Sequence, residues 1–215
     1  MINNNEVKMM ASSVNQISVI LFDLGGVLVQ LKGIPTLLSW VGDRMTLEEM
    51  WASWLSSPAV RSFETGQMDP EVFANELIGE MDLPVKAEEF LEEFASWPND
   101  LFPGALQLVG RIPRNYVRAT LSNTNSMHWP RLMDEMRLGD VFDYYFASHL
   151  IGRIKPDEDA FQYVIEALER SPAEILFLDD NHLNVEAAKR TGMKAVQVKG
   201  TEEAGEVLSE LRVII

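Results

Sequence analysis

The sequence contains no cysteine among its 215 residues. Disulfide bonds, thiolate metal sites and a cysteine nucleophile are therefore excluded. It also lacks an apolar run long enough to cross a membrane. Residues 1–16 are polar and lack the apolar core of a secretory signal, so we expect them to form a disordered leader. These absences favour a protein of the reducing cytoplasm.

Positive charge is scarce. Lys and Arg number 18 against 33 Asp and Glu, which gives a formal net charge of −15 at pH 7. Nucleic acids and anionic membranes attract clustered Lys and Arg, so we expect neither as a partner. A phosphate ester would also be repelled, unless a metal ion or a lysine supplied local positive charge at the site.

Apolar residues are plentiful, at 47% of the chain, as in a globular protein with a sizeable core. Short apolar runs predict buried strands at 17–24, 116–121, 175–178 and 193–198. Between them, apolar residues spaced three and four apart predict helices, as in residues 157–170. Alternating strands and helices predict an α/β fold with a doubly wound, mostly parallel, Rossmann-like sheet.

Residues 33–98 interrupt this alternation, because they contain helical patterns and no strand pattern. We predict that they form a small helical cap inserted after the first strand, with residues 17–32 and 99–215 forming the catalytic core. The segment holds 13 acidic and 3 basic residues, and therefore most of the net negative charge. Four of the five tryptophans also lie in it: Trp40, Trp51, Trp54 and Trp97.

Four polar clusters each follow a predicted strand, and the strand before Lys155 is predicted at residues 143–148. They are Asp23, Ser122 with Asn123, Lys155, and Asp179 with Asp180. Each cluster alone is typical of an ordinary turn or helix cap. Ligands of open α/β sheets bind beyond the carboxyl ends of the strands, however, so four clusters at such ends predict one shared site.

The chemistry of these side chains suits phosphoryl transfer. A carboxylate such as Asp23 can attack phosphorus and form an aspartyl-phosphate, which splits hydrolysis into two steps. Mg²⁺ prefers oxygen ligands, and Asp23, the backbone carbonyl of Gly25 and Asp180 are candidates. The adjacent carboxylates of Asp179 and Asp180 repel each other and favour a cation nearby. The candidates for binding the phosphoryl oxygens are Ser122, the backbone N–H of Asn123, and Lys155.

The four clusters resemble the four motifs of the haloacid dehalogenase-like hydrolase superfamily, over nearly the whole chain. The resemblance implies that Asp23 is the nucleophile and a metal ligand. It further implies that Ser122 and Lys155 bind phosphate and that Asp179 and Asp180 form the acidic site for Mg²⁺. The segments FDLGGVLV, LSNTN and FETGQMDPEVFANEL are similar to the branch that contains the bacterial sugar-1-phosphate phosphatases, such as α-D-glucose-1-phosphate phosphatase.

Gly25 departs from this resemblance. Most phosphatases of the superfamily carry a second aspartate two residues after the nucleophile, which acts as general acid and then as base. A well-placed general acid or base is worth about 10²–10⁴ in rate. The anomeric hydroxyl of a sugar 1-phosphate is comparatively acidic and needs less protonation as it leaves. Gly25 therefore favours a sugar 1-phosphate as the substrate.

Three alternatives remain open beside a magnesium-dependent phosphatase of small phosphate monoesters. A haloacid dehalogenase needs no metal, but it has no use for the paired Asp179 and Asp180. A phosphonate hydrolase needs a cap lysine for a Schiff base, and segment 33–98 offers Lys86 alone. A slow or inactive binding protein of the same fold is consistent with Gly25. The sequence indicates no oligomeric state.

Overall fold

The computed structural model describes residues 17–214, and the predicted leader at 1–16 lies outside them. Seven strands lie in the described part: β1 (Val19–Phe22), β2 (Val29–Leu31), β3 (Pro98–Leu101), β4 (Val117–Ser122), β5 (Tyr144–Ala147), β6 (Ile175–Asp179) and β7 (Lys194–Gln197). The α-helices there are α1 (Gly33–Val41), α2 (Leu47–Ser56), α3 (Pro58–Glu64), α4 (Pro70–Met81), α5 (Ala87–Ala95), α6 (Ala105–Arg111), α7 (Ser148–Ile151), α8 (Glu158–Leu168), α9 (His182–Arg190) and α10 (Gly200–Glu210). No helix in residues 17–214 is both long and apolar enough to span a membrane.

Five strands form one parallel sheet in the order β5-β4-β1-β6-β7. β1 lies at its centre, where Phe22 is in register with Thr120 of β4 and Leu178 of β6. The chain first builds the sheet on the β4 side of β1 and then returns to the β6 side. The reversal creates a switch point beside β1, where open α/β sheets bind ligands. This sheet confirms the predicted α/β class.

Both faces of the sheet are covered. Successive side chains of a strand point to opposite faces. Ile20 and Phe22 of β1 accordingly pack into one hydrophobic cluster, and Val19 and Leu21 pack into another. All four residues of β1 are buried, which explains why its sequence is a continuous apolar run.

The helices α1–α5, here called the helical insertion, lie between β2 and β3. These two strands pair antiparallel and form a second, two-stranded sheet that the sequence did not predict. The insertion packs its own hydrophobic cluster, in which the rings of Phe63 and Phe73 stack with centroids 4.2 Å apart. The predicted boundaries at residues 33 and 98 fall beside β2 and β3, and the division into two domains remains a prediction.

Candidate active site

The four polar clusters meet at the carboxyl edge of the parallel sheet. Asp23 follows β1, Ser122 ends β4, Lys155 lies in the loop after α7, and Asp179 ends β6. A cavity of about 580 Å³ opens at this edge. The predicted residues that line it are Asp23, Gly25, Ser122, Asn123, Lys155 and Asp180. Asp179 is completely buried and does not line the cavity.

Lys155 is the cation at the centre of the site. Its Nζ lies 3.0 Å from Asp23 Oδ1 and 2.6 Å from Asp179 Oδ2, and its side chain is only 1% exposed. Burial alone would lower the pKa of Lys155, but the charges of Asp179 and Asp23 outweigh it and the net shift is upward. Lys155 is therefore positively charged at neutral pH.

Asp179 holds this lysine in place. Both of its carboxylate oxygens are engaged, since Oδ1 accepts a hydrogen bond from the backbone N–H of Asn181 at 2.7 Å and Oδ2 accepts one from Lys155. Asn184 Nδ2, one turn into α9, lies 3.1 and 3.0 Å from the two oxygens. Asp179 is thus well placed to orient Lys155.

Asp23 engages only one of its two carboxylate oxygens within the described part of the chain. Its Oδ1 accepts a hydrogen bond from the backbone N–H of Leu24 at 2.7 Å as well as contacting Lys155. Its Oδ2 has no hydrogen-bond partner among residues 17–214. Burial raises the pKa of Asp23 against the opposing effect of Lys155, and the charges of Asp179 and Asp180 raise it further.

Asp180 is half-buried and packs against the loop that follows β1. Burial, followed by the charge of Asp179, raises the pKa of Asp180 to about 6. Gly26 in that loop has φ +71°, and a Cβ atom there would lie 2.3 Å from Asp180 Oδ2. A left-handed backbone at this point favours glycine, and the close approach to Asp180 requires it.

The acidic side chains fit a magnesium ion. Carboxylate oxygens of Asp23, Asp179 and Asp180 all lie within 4.8 Å of one another. An all-oxygen set suits Mg²⁺, which keeps several water ligands of its own. The raised pKa values of Asp23 and Asp180 reflect burial and mutual repulsion, and a bound cation would relieve the repulsion. Asp23 and Asp180 are the better ligands, because the oxygens of Asp179 are already engaged.

Asn123 has a side-chain role that the sequence did not reveal. Its Oδ1 accepts a hydrogen bond from the backbone N–H of Lys155, and its Nδ2 donates to the Lys155 carbonyl, both at 2.9 Å. Nearby, Ser148 Oγ accepts from the Thr124 N–H at 2.9 Å and donates to the Thr124 carbonyl at 2.8 Å. These bonds tie the loop after β4 to the segment after β5, which carries Lys155.

The helical insertion, together with Leu31 of β2 and Trp97 just before β3, supplies the opposite wall of the cavity. Leu31 and Leu55 line it with 49% and 60% of their surface exposed. The other apolar lining residues from this side are Ile34, Leu37, Met50, Trp51, Trp54, Phe94 and Trp97. The end of the cavity at the sheet edge is thus charged and polar, whereas the end at the opposite wall is mainly apolar.

One acidic residue of the insertion faces the polar end, and sequence reasoning passed over it. Glu64 is the last residue of α3, is half-buried and lines the cavity. In the sequence, Glu64 differs from the other acidic residues of the insertion only by its place in the segment FETGQMD, directly before Thr65 and Gly66. Asn184 was also missed, although its position one turn beyond Asp179 and Asp180 is a usable signal.

Comparison with known proteins agrees with this geometry. The model of the haloacid dehalogenase-like hydrolase family matches residues 17–192. The chain is 28% identical over 179 residues to a sesquiterpene phosphatase of Aspergillus oryzae, which covers 80% of this chain and 85% of that protein. It is 24% identical over 203 residues to the D-ribitol-5-phosphate phosphatase of Bacteroides thetaiotaomicron, covering 91% of this chain and 97% of that protein.

A solved structure gives the same fold. A haloacid dehalogenase-family enzyme of Bacteroides thetaiotaomicron, determined as a magnesium complex, superposes with a TM-score of 0.69 at 25% identity, covering 86% of this chain and 94% of that one. The family match extends over four of the five strands of the parallel sheet and over the whole helical insertion. These findings confirm the superfamily predicted from the four motifs. The chain belongs to the haloacid dehalogenase-like hydrolase family.

Proposed function

We propose that this hydrolase is a magnesium-dependent phosphatase that cleaves a small phosphate monoester through an aspartyl-phosphate on Asp23. The observation that carries the proposal is the position of Asp23 beside a buried lysine and a second cavity-lining carboxylate, Asp180. Its Oδ2 accepts no hydrogen bond from residues 17–214. Relatives that span most of the chain and bear the name of phosphatase support the same chemistry.

Each residue of the site has a role in this reaction. A carboxylate oxygen of Asp23 attacks phosphorus, the bond to the leaving oxygen breaks, and the phosphoryl group passes to Asp23. Lys155 and Ser122 hold the phosphoryl oxygens, together with the backbone N–H of Asn123. Magnesium, held by Asp23 and Asp180, would neutralise charge on the phosphoryl group. Water then cleaves the aspartyl-phosphate and frees Asp23.

The test is substitution of the nucleophile. Asp23→Asn keeps the shape of the side chain but removes its nucleophilic oxygen, so hydrolysis of any phosphate monoester should fall to the uncatalysed background. Thermal unfolding should show a folded protein. Substantial activity in this variant would contradict the proposal, and so would undiminished hydrolysis in the presence of a magnesium chelator.

The apolar residues of the opposite wall indicate which leaving groups the cavity can accept. A sugar 1-phosphate is the first candidate, because three tryptophans line the cavity and indole rings can pack on the apolar face of a sugar. The monophosphate of an alcohol with a hydrocarbon body is the second candidate. It is favoured by the aliphatic side chains of Leu31, Ile34 and Leu55, since exposed apolar surface of this kind usually binds a ligand or a partner. The sesquiterpene phosphatase among the relatives supports the second candidate.

A panel of esters separates these two candidates. We would measure kcat/KM for a hexose 1-phosphate, the matching hexose 6-phosphate and octyl phosphate. A preference for the 1-phosphate over the 6-phosphate supports the sugar phosphate, and a preference for octyl phosphate over both supports the apolar alcohol. Equal values for the two hexose phosphates would reject the leaving-group argument built on Gly25, while leaving the phosphatase proposal standing.

A further inference from the structure

Glu64 has an exceptional position among the acidic residues of the insertion. Segment 33–98 contains 13 acidic residues, all within the described part of the chain, and Glu64 alone among them lines the cavity. Its position there therefore needs an explanation of its own, apart from the general negative charge of the insertion.

Two contacts anchor the end of α3 to the parallel-sheet side of the cavity. Arg61, one turn before Glu64, forms an ion pair with Asp157 in the loop before α8. Gly66, two residues after Glu64, has φ +74°, and a Cβ atom there would lie 2.4 Å from the backbone oxygen of His149. Only glycine allows the chain to approach α7 so closely. Glu64 is thus held at the cavity by contacts on both sides of it.

The carboxyl group of Glu64 makes no hydrogen bond and no ion pair with any other residue in the 17–214 range. Burial raises the pKa of Glu64 to about 8, the charge of Lys155 opposes that rise and the charge of Asp23 adds to it. Both charges act across the cavity, so Glu64 lies within electrostatic range of the nucleophile. A half-buried, unpaired carboxyl group costs stability, which a protein tolerates most readily where the group has a function.

We propose that Glu64 is the general acid and base of the reaction, and that it replaces the aspartate absent at Gly25. The proposal rests on the function proposed above. It assigns the missing proton transfer to the helical insertion instead of the loop after β1. With this assignment, Gly25 alone no longer favours a sugar 1-phosphate over other esters. Because α3 reaches the site from the opposite wall, the proton donor would sit on the side from which the leaving group departs.

The two half-reactions balance with this assignment. In the first, an Asp23 oxygen bonds to phosphorus, the bond from phosphorus to the leaving oxygen breaks, and the Glu64 proton passes to that oxygen to give the free alcohol. In the second, water bonds to phosphorus and gives one proton to the Glu64 carboxylate, while the bond from phosphorus to Asp23 breaks. Inorganic phosphate leaves, and Asp23 and Glu64 return to their starting states.

The test uses Glu64→Gln and two esters that differ in their need for an acid. The p-nitrophenolate of p-nitrophenyl phosphate can leave without being protonated. The alkoxide of a hexose 6-phosphate is a poor leaving group and must receive a proton as it leaves. We expect kcat/KM for hexose 6-phosphate to fall by about 10²–10⁴ and kcat/KM for p-nitrophenyl phosphate to stay close to the wild-type value. A rapid burst of p-nitrophenolate should precede a slow steady state, because the second half-reaction has lost its base.

Two further variants complete the experiment. Glu76→Gln, at an exposed glutamate of α4, is the matched control and should behave as wild type. Gly25→Asp in the Glu64→Gln background should recover part of the hexose 6-phosphate activity. The added side chain would meet Leu31 Cδ1 at 3.1 Å, a flexible group that can move aside.

The outcomes separate this inference from the proposed function. Equal losses on both esters in Glu64→Gln, or losses no larger than in Glu76→Gln, would overturn the role of Glu64, provided that Asp23→Asn abolishes turnover. Activity that survives in Asp23→Asn would overturn the proposed function itself. Should Glu64→Gln not be recovered as a folded protein, Glu64→Asp takes its place. A shorter acid should show the same ester-dependent loss to a smaller degree, and unchanged kinetics would refute the proposal.

Discussion

Lys155 and Asp179 form a buried ion pair beside Asp23, with 2.6 Å between Lys155 Nζ and Asp179 Oδ2. The Asp179 side chain is fully buried and that of Lys155 is 1% exposed. The pair therefore connects β6, which carries Asp179, to the loop that carries Lys155, and it fixes the ammonium group beside Asp23. Its contribution should be visible in both stability and catalysis.

We predict that Asp179→Asn destabilises the fold by about 3 kcal/mol, the lower end of the range for breaking a buried pair, because Asp23 still contacts Lys155. It should also lower kcat, since Lys155 loses the partner that orients it. Denaturant unfolding and steady-state kinetics measure the two effects. Asp134→Asn, at an exposed aspartate, is the control and should change neither. An Asp179→Asn protein as stable and active as wild type would show that the pair has no positioning role.

Much of the fold and part of this site could be predicted from the sequence. A parallel strand that is buried on both faces is a continuous apolar run, so the strands were visible, and their carboxyl ends placed the polar clusters at one edge. The different roles of Asp179 and Asp180 were not visible. Successive side chains at the end of a strand point to opposite sides. One aspartate therefore faces Lys155 and the other faces the cavity, although the sequence presents them as equals.

Other features were hidden because they depend on contacts between distant segments. The β2–β3 pair escaped prediction since each strand has only three or four residues, and β3 begins at a proline and carries the polar Asn99 and Asp100. Glu64 escaped because its exposure to the cavity depends on how α3 docks on α7. No periodic pattern in the sequence predicts that contact between α3 and α7.

Metal binding should be detectable without any measurement of activity. The like charges of Asp23 and Asp180 lie close together, and a bound Mg²⁺ ion would relieve their repulsion. We predict that Mg²⁺ raises the Tm of the wild type in a concentration-dependent manner. Asp180→Asn should unfold at a higher temperature than wild type when metal is absent and should gain little from added Mg²⁺. The opposite pattern, with a Tm increase retained in Asp180→Asn, would exclude Asp180 as a ligand.

The contact between Gly26 and Asp180 gives a prediction about the β1 loop. In Gly26→Ala a methyl group would occupy space now filled by the Asp180 carboxylate, in a left-handed backbone that costs about 1–2 kcal/mol for a residue other than glycine. We expect lower stability and a higher Mg²⁺ concentration for half-maximal activity. Gly152→Ala is the matched control, because Gly152 has φ +66° and a Cβ atom there would meet no atom of the described residues within 4 Å. It should lose only the stability that the left-handed backbone costs and keep the Mg²⁺ requirement unchanged.

The apolar wall should determine which leaving groups are accepted, and Leu55 is the side chain with which to test it. Leu55 is 60% exposed and lines the cavity, so its exposed surface is available to a substrate. An apolar contact of this size in a binding pocket is worth roughly 10–200-fold in kcat/KM. We predict that Leu55→Asn lowers kcat/KM for octyl phosphate by about tenfold or more and changes kcat/KM for a hexose 1-phosphate far less. Leu47→Asn, at a leucine of α2 that is 47% exposed and does not line the cavity, should leave both values unchanged. If Leu55→Asn lowered kcat/KM equally for the two esters, Leu55 would shape the site as a whole. The structure would then no longer support an apolar leaving group.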